Sequence, residues 1–151
     1  MNNKIKQLKT LLKLDEQKVS ISLLKYSKAK NSYNELKVQH KMLIDYKDEY
    51  HMALQGKTNK ILNAQMIQIY DRFIVKLGLA IKDQEGKIIS AKKLSSDLFN
   101  DYLKLKQKAE GLERILESEI DIEQLRQQKQ EQKQNDESAG NQWYINRNNE
   151  S

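Results

Sequence analysis

Apolar residues in this chain return every seven positions, and that period constrains the fold more than any other feature. Alternating steps of three and four from residue 5 give Ile5, Leu8, Leu12, Asp15, Val19, Ser22, Tyr26, Ala29, Tyr33, Leu36, His40, Leu43, Lys47, Tyr50 and Leu54, of which eleven of fifteen are apolar. The same steps from residue 67 give Ile67, Tyr70, Ile74, Leu77, Ile81, Gln84, Ile88, Ala91, Ser95, Leu98, Tyr102, Leu105, Ala109, Leu112, Leu116 and Glu119, thirteen of sixteen apolar. Against a hydrophobic content of 38% over all 151 residues, both runs lie far above chance. Heptads sustained this long predict coiled-coil helices.

Composition agrees with a narrow seam and not with a compact core. Charged residues make up 32% of the chain and the mean hydropathy is -0.86, so apolar surface is too scarce to fill a globule. There is no proline to remove a backbone donor or clash with the preceding turn, which permits long unbroken helices. There is no cysteine, which excludes disulfides and thiolate chemistry. No apolar run approaches a membrane span or a signal-peptide core.

Gln55 to Lys60, with Gly56, Thr58 and Asn59, is the one cluster of turn formers in the first half. Gly56 is expected to end a first helix in the left-handed conformation, with Thr58 or Asn59 capping the next. The predicted architecture is all-α: an elongated antiparallel two-helix coiled coil over residues 1–131, with helix 1 at about 3–54, a turn at about 55–60 and helix 2 at about 61–130. Residues 132–151, rich in Gln, Asn, Glu and Lys, read as a disordered tail.

Charge supports a hairpin. Residues 1–41 carry ten lysines against Asp15, Glu16 and Glu35, a net of +7, while residues 110–123 carry six carboxylates against Arg114, a net of -5. A turn near Gly56 sets residue i opposite about 115 minus i, which predicts Lys4, Lys6 and Lys9 near Glu110 and Glu113. Trp143, Tyr144 and Ile145 form an apolar island in the tail, readable as an incidental cluster or as a short docking motif.

Catalytic chemistry finds no purchase. His40 and His51 are the only histidines and neither has metal-ligand spacing. Carboxylate pairs such as Asp48 and Glu49 read as a solvated face, since a two-helix rod offers no cleft to shift their pKa values. No metal, no cofactor and no catalytic residue is expected. The lysines of the N-terminal arm have three readings: the charged outside of a coiled coil, a nucleic-acid contact, or a membrane-surface contact.

Next to the turn the apolar face is wider than two helices need. Gln39, Leu43, Tyr46 and Tyr50 are spaced i, i+4, i+7 and i+11, and so are Phe73, Leu77, Ala80 and Gln84. The quartets either pack on each other as a drifting seam or form an exposed patch suited to a partner.

Residues 41–46 read KMLIDY, continuing to Tyr50 as KDEY, and residues 70–81 read YDRFIVKLGLAI. These segments resemble the FliJ family, small coiled-coil components of flagellar type III protein export. The resemblance implies a non-catalytic stalk similar to that of rotary ATPases, cytoplasmic and peripheral on the inner membrane. Its implied partners are the hexameric export ATPase, the membrane export-gate protein and export chaperones; nucleic acid is not expected among them. The implied gate-docking residues are Gln39, Leu43, Tyr46, Tyr50, Phe73, Leu77 and Ala80, with Gln84 standing where the family pattern has histidine. The alternative is a lysine-rich coiled coil that binds nucleic acid or a membrane surface.

Overall fold

The computed structural model describes residues 2–57 and 64–149. The chain forms two long helices that pack against each other, α1 (Asn3–Lys57) and α2 (Ala64–Asn149), and no strand is present among the described residues. The fold is the all-α hairpin that the heptads predict.

The seam is where the heptads put it. Every one of the fifteen positions from Ile5 to Leu54 and the sixteen from Ile67 to Glu119 is buried or half-buried, including the polar members Asp15, Ser22, His40, Lys47 and Gln84. Labelling the seam positions a and d, with Ile5 and Ile67 at a, the four isoleucines Ile67, Ile74, Ile81 and Ile88 all fall at a. Burial is shallow throughout. Among the described residues the buried apolar side chains are Leu77, Ile81, Ala109 and Leu116, and no large side chain is fully enclosed. Two helices have only one shared face, so each seam residue keeps an edge in solvent.

The chain divides into two compact units, each containing part of both helices. Unit 1 joins Met1–Val19 to Leu105–Ser151. Asn2 caps α1, its Oδ1 accepting the Lys4 amide proton at 3.0 Å. Its Nδ2 donates to Glu123 Oε2 at 3.4 Å, tying the helix start to α2. Lys4 Nζ lies 2.9 Å from Glu119 Oε1, and Arg126 lies 2.8 Å from Glu123 one turn away on the same helix. The Arg126 guanidinium, by its hydrogen bond and its charge, with Asn2 assisting, holds the Glu123 carboxyl below its ordinary pKa. The same pair raises Arg126 above its own.

Unit 2, Ser20–Lys104, holds most of the aromatic residues. Tyr26 and Phe99 stack across the seam at 5.0 Å, with Tyr102 beside Phe99 at 6.2 Å. Lys47, a cation at a seam position, runs beside Gly78, where an added methyl group would lie in ordinary contact with its Nζ at 3.6 Å.

Three sequence expectations are corrected. α1 passes through Gly56 to Lys57, and Gly56 does not take a positive φ. An interior glycine costs a helix only about 1 kcal/mol, which the strong helix formers before it outweigh. Of the expected turn at 55–60, residues 55–57 are helical and 58–60 lie outside the described residues. The register shifts accordingly. Lys4 pairs with Glu119 and Gln39 with Gln84, residue numbers that add to 123, while Asn2 pairs with Glu123 and His40 with Glu85, adding to 125. Residue i therefore opposes one near 124 minus i, and the partner of Lys4 is Glu119 instead of Glu110 or Glu113. Finally, α2 continues as helix to Asn149, where a disordered tail was expected from residue 132. Gln, Glu and Lys have high helix propensity and the tract lacks proline, so low hydrophobicity alone does not end the helix there.

Candidate functional site: an aromatic patch beside the seam

The i, i+4, i+7, i+11 spacing of the two quartets alternates two heptad positions, g and d. Leu43, Tyr50, Leu77 and Gln84 are d residues and belong to the seam; Gln39, Tyr46, Phe73 and Ala80 are g residues and are exposed. In an antiparallel pair the g positions of both helices share one flank, as the contact between Tyr46 and Phe73 shows. Half of the quartet members therefore lie in the seam and half are exposed beside it. The d residues are packing, and the g residues are a surface.

That surface is organised by ring contacts. Phe73 lies against Tyr50 with centroids 4.7 Å apart, and edge-on to Tyr46 at 6.4 Å and 68°. Tyr46 and Tyr50 sit 5.0 Å apart, and Tyr50 continues the cluster to Tyr70 at 6.0 Å. Such tilted arrangements match the ring quadrupole and fix the side chains relative to one another. Tyr46 remains 45% and Phe73 37% exposed, whereas Leu77 below them is 9% exposed. Hydrogen bonding to Tyr46, then burial and the neighbouring phenols, push the Tyr50 hydroxyl above its ordinary pKa.

Met66 and Ile69, also exposed, extend the patch; with Tyr50, Tyr70 and Phe73 they line a hollow of 280 Å³. They lie outside both quartets and were missed by the sequence analysis. Their signal was present in the heptad, since Met66 shares the g position of Phe73 and Ile69 stands at c behind it.

At the other end of the patch Gln84 Nε2 donates to Gln39 Oε1 at 3.4 Å across the seam. Gln84 Oε1 and His40 Nε2 are buried without a hydrogen-bond partner, although His40 Nε2 is 3.4 Å from Glu85 Oε1. His40 is thus a seam residue, and His51 is exposed on α1. No cluster of three or more His, Cys, Asp or Glu side chains able to hold a metal ion occurs among the described residues. No described helix is long and apolar enough to cross a membrane.

Fold and site together define a two-helix coiled-coil protein with a partly exposed aromatic patch on one flank. Residues 4–148 match the family model described as Flagellar FliJ protein. This chain belongs to the FliJ family and is a component of flagellar protein export. Comparison with curated proteins and with solved structures gave no match.

Proposed function

We propose that this chain is a non-catalytic stalk that links the hexameric export ATPase to the membrane export gate, peripheral on the cytoplasmic side of the membrane, and escorts export chaperones. The observation that carries the gate contact is the exposure of Tyr46, Phe73 and Ala80 on one flank, directly over the buried Leu77. Rings held by neighbouring rings lose little side-chain freedom on binding, which is why aromatic anchors dominate interface energies. Family membership supplies the export context.

The test is binding of the full chain to an immobilised cytoplasmic linker of the export gate. Paired replacement Tyr46→Ala and Phe73→Ala is expected to weaken binding by roughly tenfold or more, the cost of losing interface hot spots. Ile89→Ala, at an exposed position on the opposite flank, is expected to leave it within about twofold, as surface substitutions outside an interface do. Unchanged affinity in the paired variant would overturn the assignment.

A further inference from the structure

Unit 2 has a second flank, made of the e positions that follow each d residue and the b positions beside them. The contacts of Tyr26 with Phe99 and of His40 with Glu85 place e residues there, on the side away from Tyr46 and Phe73. Between residues 23 and 44 and between 78 and 103 this flank carries Lys30, Lys37, Lys41, Lys82 and Lys92 against Glu85 alone, a net of +4. Over the same spans the g and c positions of the first flank carry Lys25, Lys28 and Lys87 against Glu35, Asp83, Asp97 and Asp101, a net of -1. All five lysines of the second flank are exposed, and none pairs with a carboxylate among the described residues. Lys30 and Lys37 lie instead over the rings of Tyr26 and Tyr33, at 5.8 and 5.0 Å, which carry no formal charge to neutralise them.

Apolar side chains punctuate the lysines at helical intervals. Along α1 the e positions read Leu23, Lys30, Lys37, Ile44 in steps of seven. Along α2 the exposed Ile89 and Phe99 stand on the same flank. A third helix laid in the groove between α1 and α2 would meet these e and b positions in turn. We infer that the lysine flank of unit 2 is a docking surface for an acidic amphipathic helix of a protein partner, its carboxylates matched to Lys30, Lys37 and Lys92 and its apolar face to Leu23, Ile89 and Phe99.

The pattern favours a helix over other anions. Nucleic acid recognition uses arginine forks and freely stacking rings, whereas the cations here are all lysine and Phe99 is already stacked on Tyr26. A membrane surface accepts a contiguous apolar face, but Leu23 and Ile44 are about 31 Å apart at 1.5 Å per residue, with lysines between them. This site is on the flank opposite the proposed gate contact, and its test involves no gate protein.

Fluorescence anisotropy of the full chain with a labelled peptide of about four heptads, Leu at a and d and Glu at e and g, tests it. Saturable binding is expected at about 0.15 M salt, where exposed charges are already screened beyond roughly 8 Å. Lys30→Glu, Lys37→Glu and Lys92→Glu combined should weaken it by about tenfold or more, and the corresponding Gln variant by a smaller factor, given up to about 1 kcal/mol per exposed pair. Lys25→Glu, Lys28→Glu and Lys87→Glu, the same change in net charge on the other flank, should leave it within about twofold. A peptide with Lys in place of Glu should not bind. The inference is overturned by absence of saturable binding, by equal losses in the two charge-reversal variants, or by tighter binding of single-stranded RNA or phosphatidylserine vesicles than of the acidic peptide.

Discussion

Phe73 and Leu77 are neighbours on α2 and members of one quartet, yet the structure separates their roles, and replacing each by alanine should show it. Leu77 is 9% exposed and lies in the seam. Removing a buried leucine to its β-carbon costs about 2–5 kcal/mol. The lower end applies here, about 2–3 kcal/mol, because in a two-helix seam neighbours and water reach the gap easily. Phe73 is 37% exposed and loses tilted ring contacts to Tyr46 and Tyr50. Those two contacts are worth about 0.5–1.5 kcal/mol each, toward the lower end for a ring this exposed, and the higher helix propensity of alanine returns about 0.5 kcal/mol, leaving a net cost near 1 kcal/mol. For a chain of this size each kcal/mol moves Tm by about 2–4 °C. Thermal melts followed by far-ultraviolet circular dichroism should therefore show Leu77→Ala lowered by about 5–10 °C and Phe73→Ala by about 2–4 °C. A Phe73→Ala melt as low as that of Leu77→Ala would refute the division, because the ring would then be part of the core and not of a free surface.

Two further outcomes follow from local geometry. Gly86 is an interior residue of α2 with nothing within 4 Å of an added methyl group, so Gly86→Ala should stabilise the fold by about 0.5–1 kcal/mol, read as a higher denaturation midpoint; a lower midpoint would mean that the glycine serves a contact. The Glu123 carboxyl, held low by Arg126 and Asn2, contributes stability above its ordinary pKa of 4.5 that is lost as pH falls through the lower folded value. Wild type should accordingly lose more of its melting temperature than Glu123→Gln as pH drops from about 5 to about 3, and parallel curves would contradict the linkage.

The seam was legible because burial in a coiled coil is a question of angle alone. Even the polar members, Asp15, Ser22, His40 and Lys47, are placed correctly by counting, although their chemistry argues for the surface. The candidate patch was half legible. Its angular sector could be computed, but whether Tyr46 and Phe73 lie inside or outside depends on how far two seams roll together, which a single helix does not encode. Register was not legible. It depends on where the chain reverses, and Gly56 is a local signal overridden by the propensity of its neighbours. The end of α2 misled for the same reason, since Gln, Glu and Lys are favourable in helices whether or not a partner covers them.

The constancy of cross-helix pairing has a consequence for how such a chain changes length over time. Residue numbers of partners add to 123 or 125 in unit 1, at Lys4 and Asn2, and again in unit 2, at Gln39 and His40. An insertion or deletion in one helix alone would rotate or shift every later pair out of alignment. Only whole heptads gained or lost at mirrored places keep both the seam and the flanks, so that loss of residues 26–32 requires loss of residues near 92–98. Within the paired stretches, length changes that preserve the fold come in matched pairs.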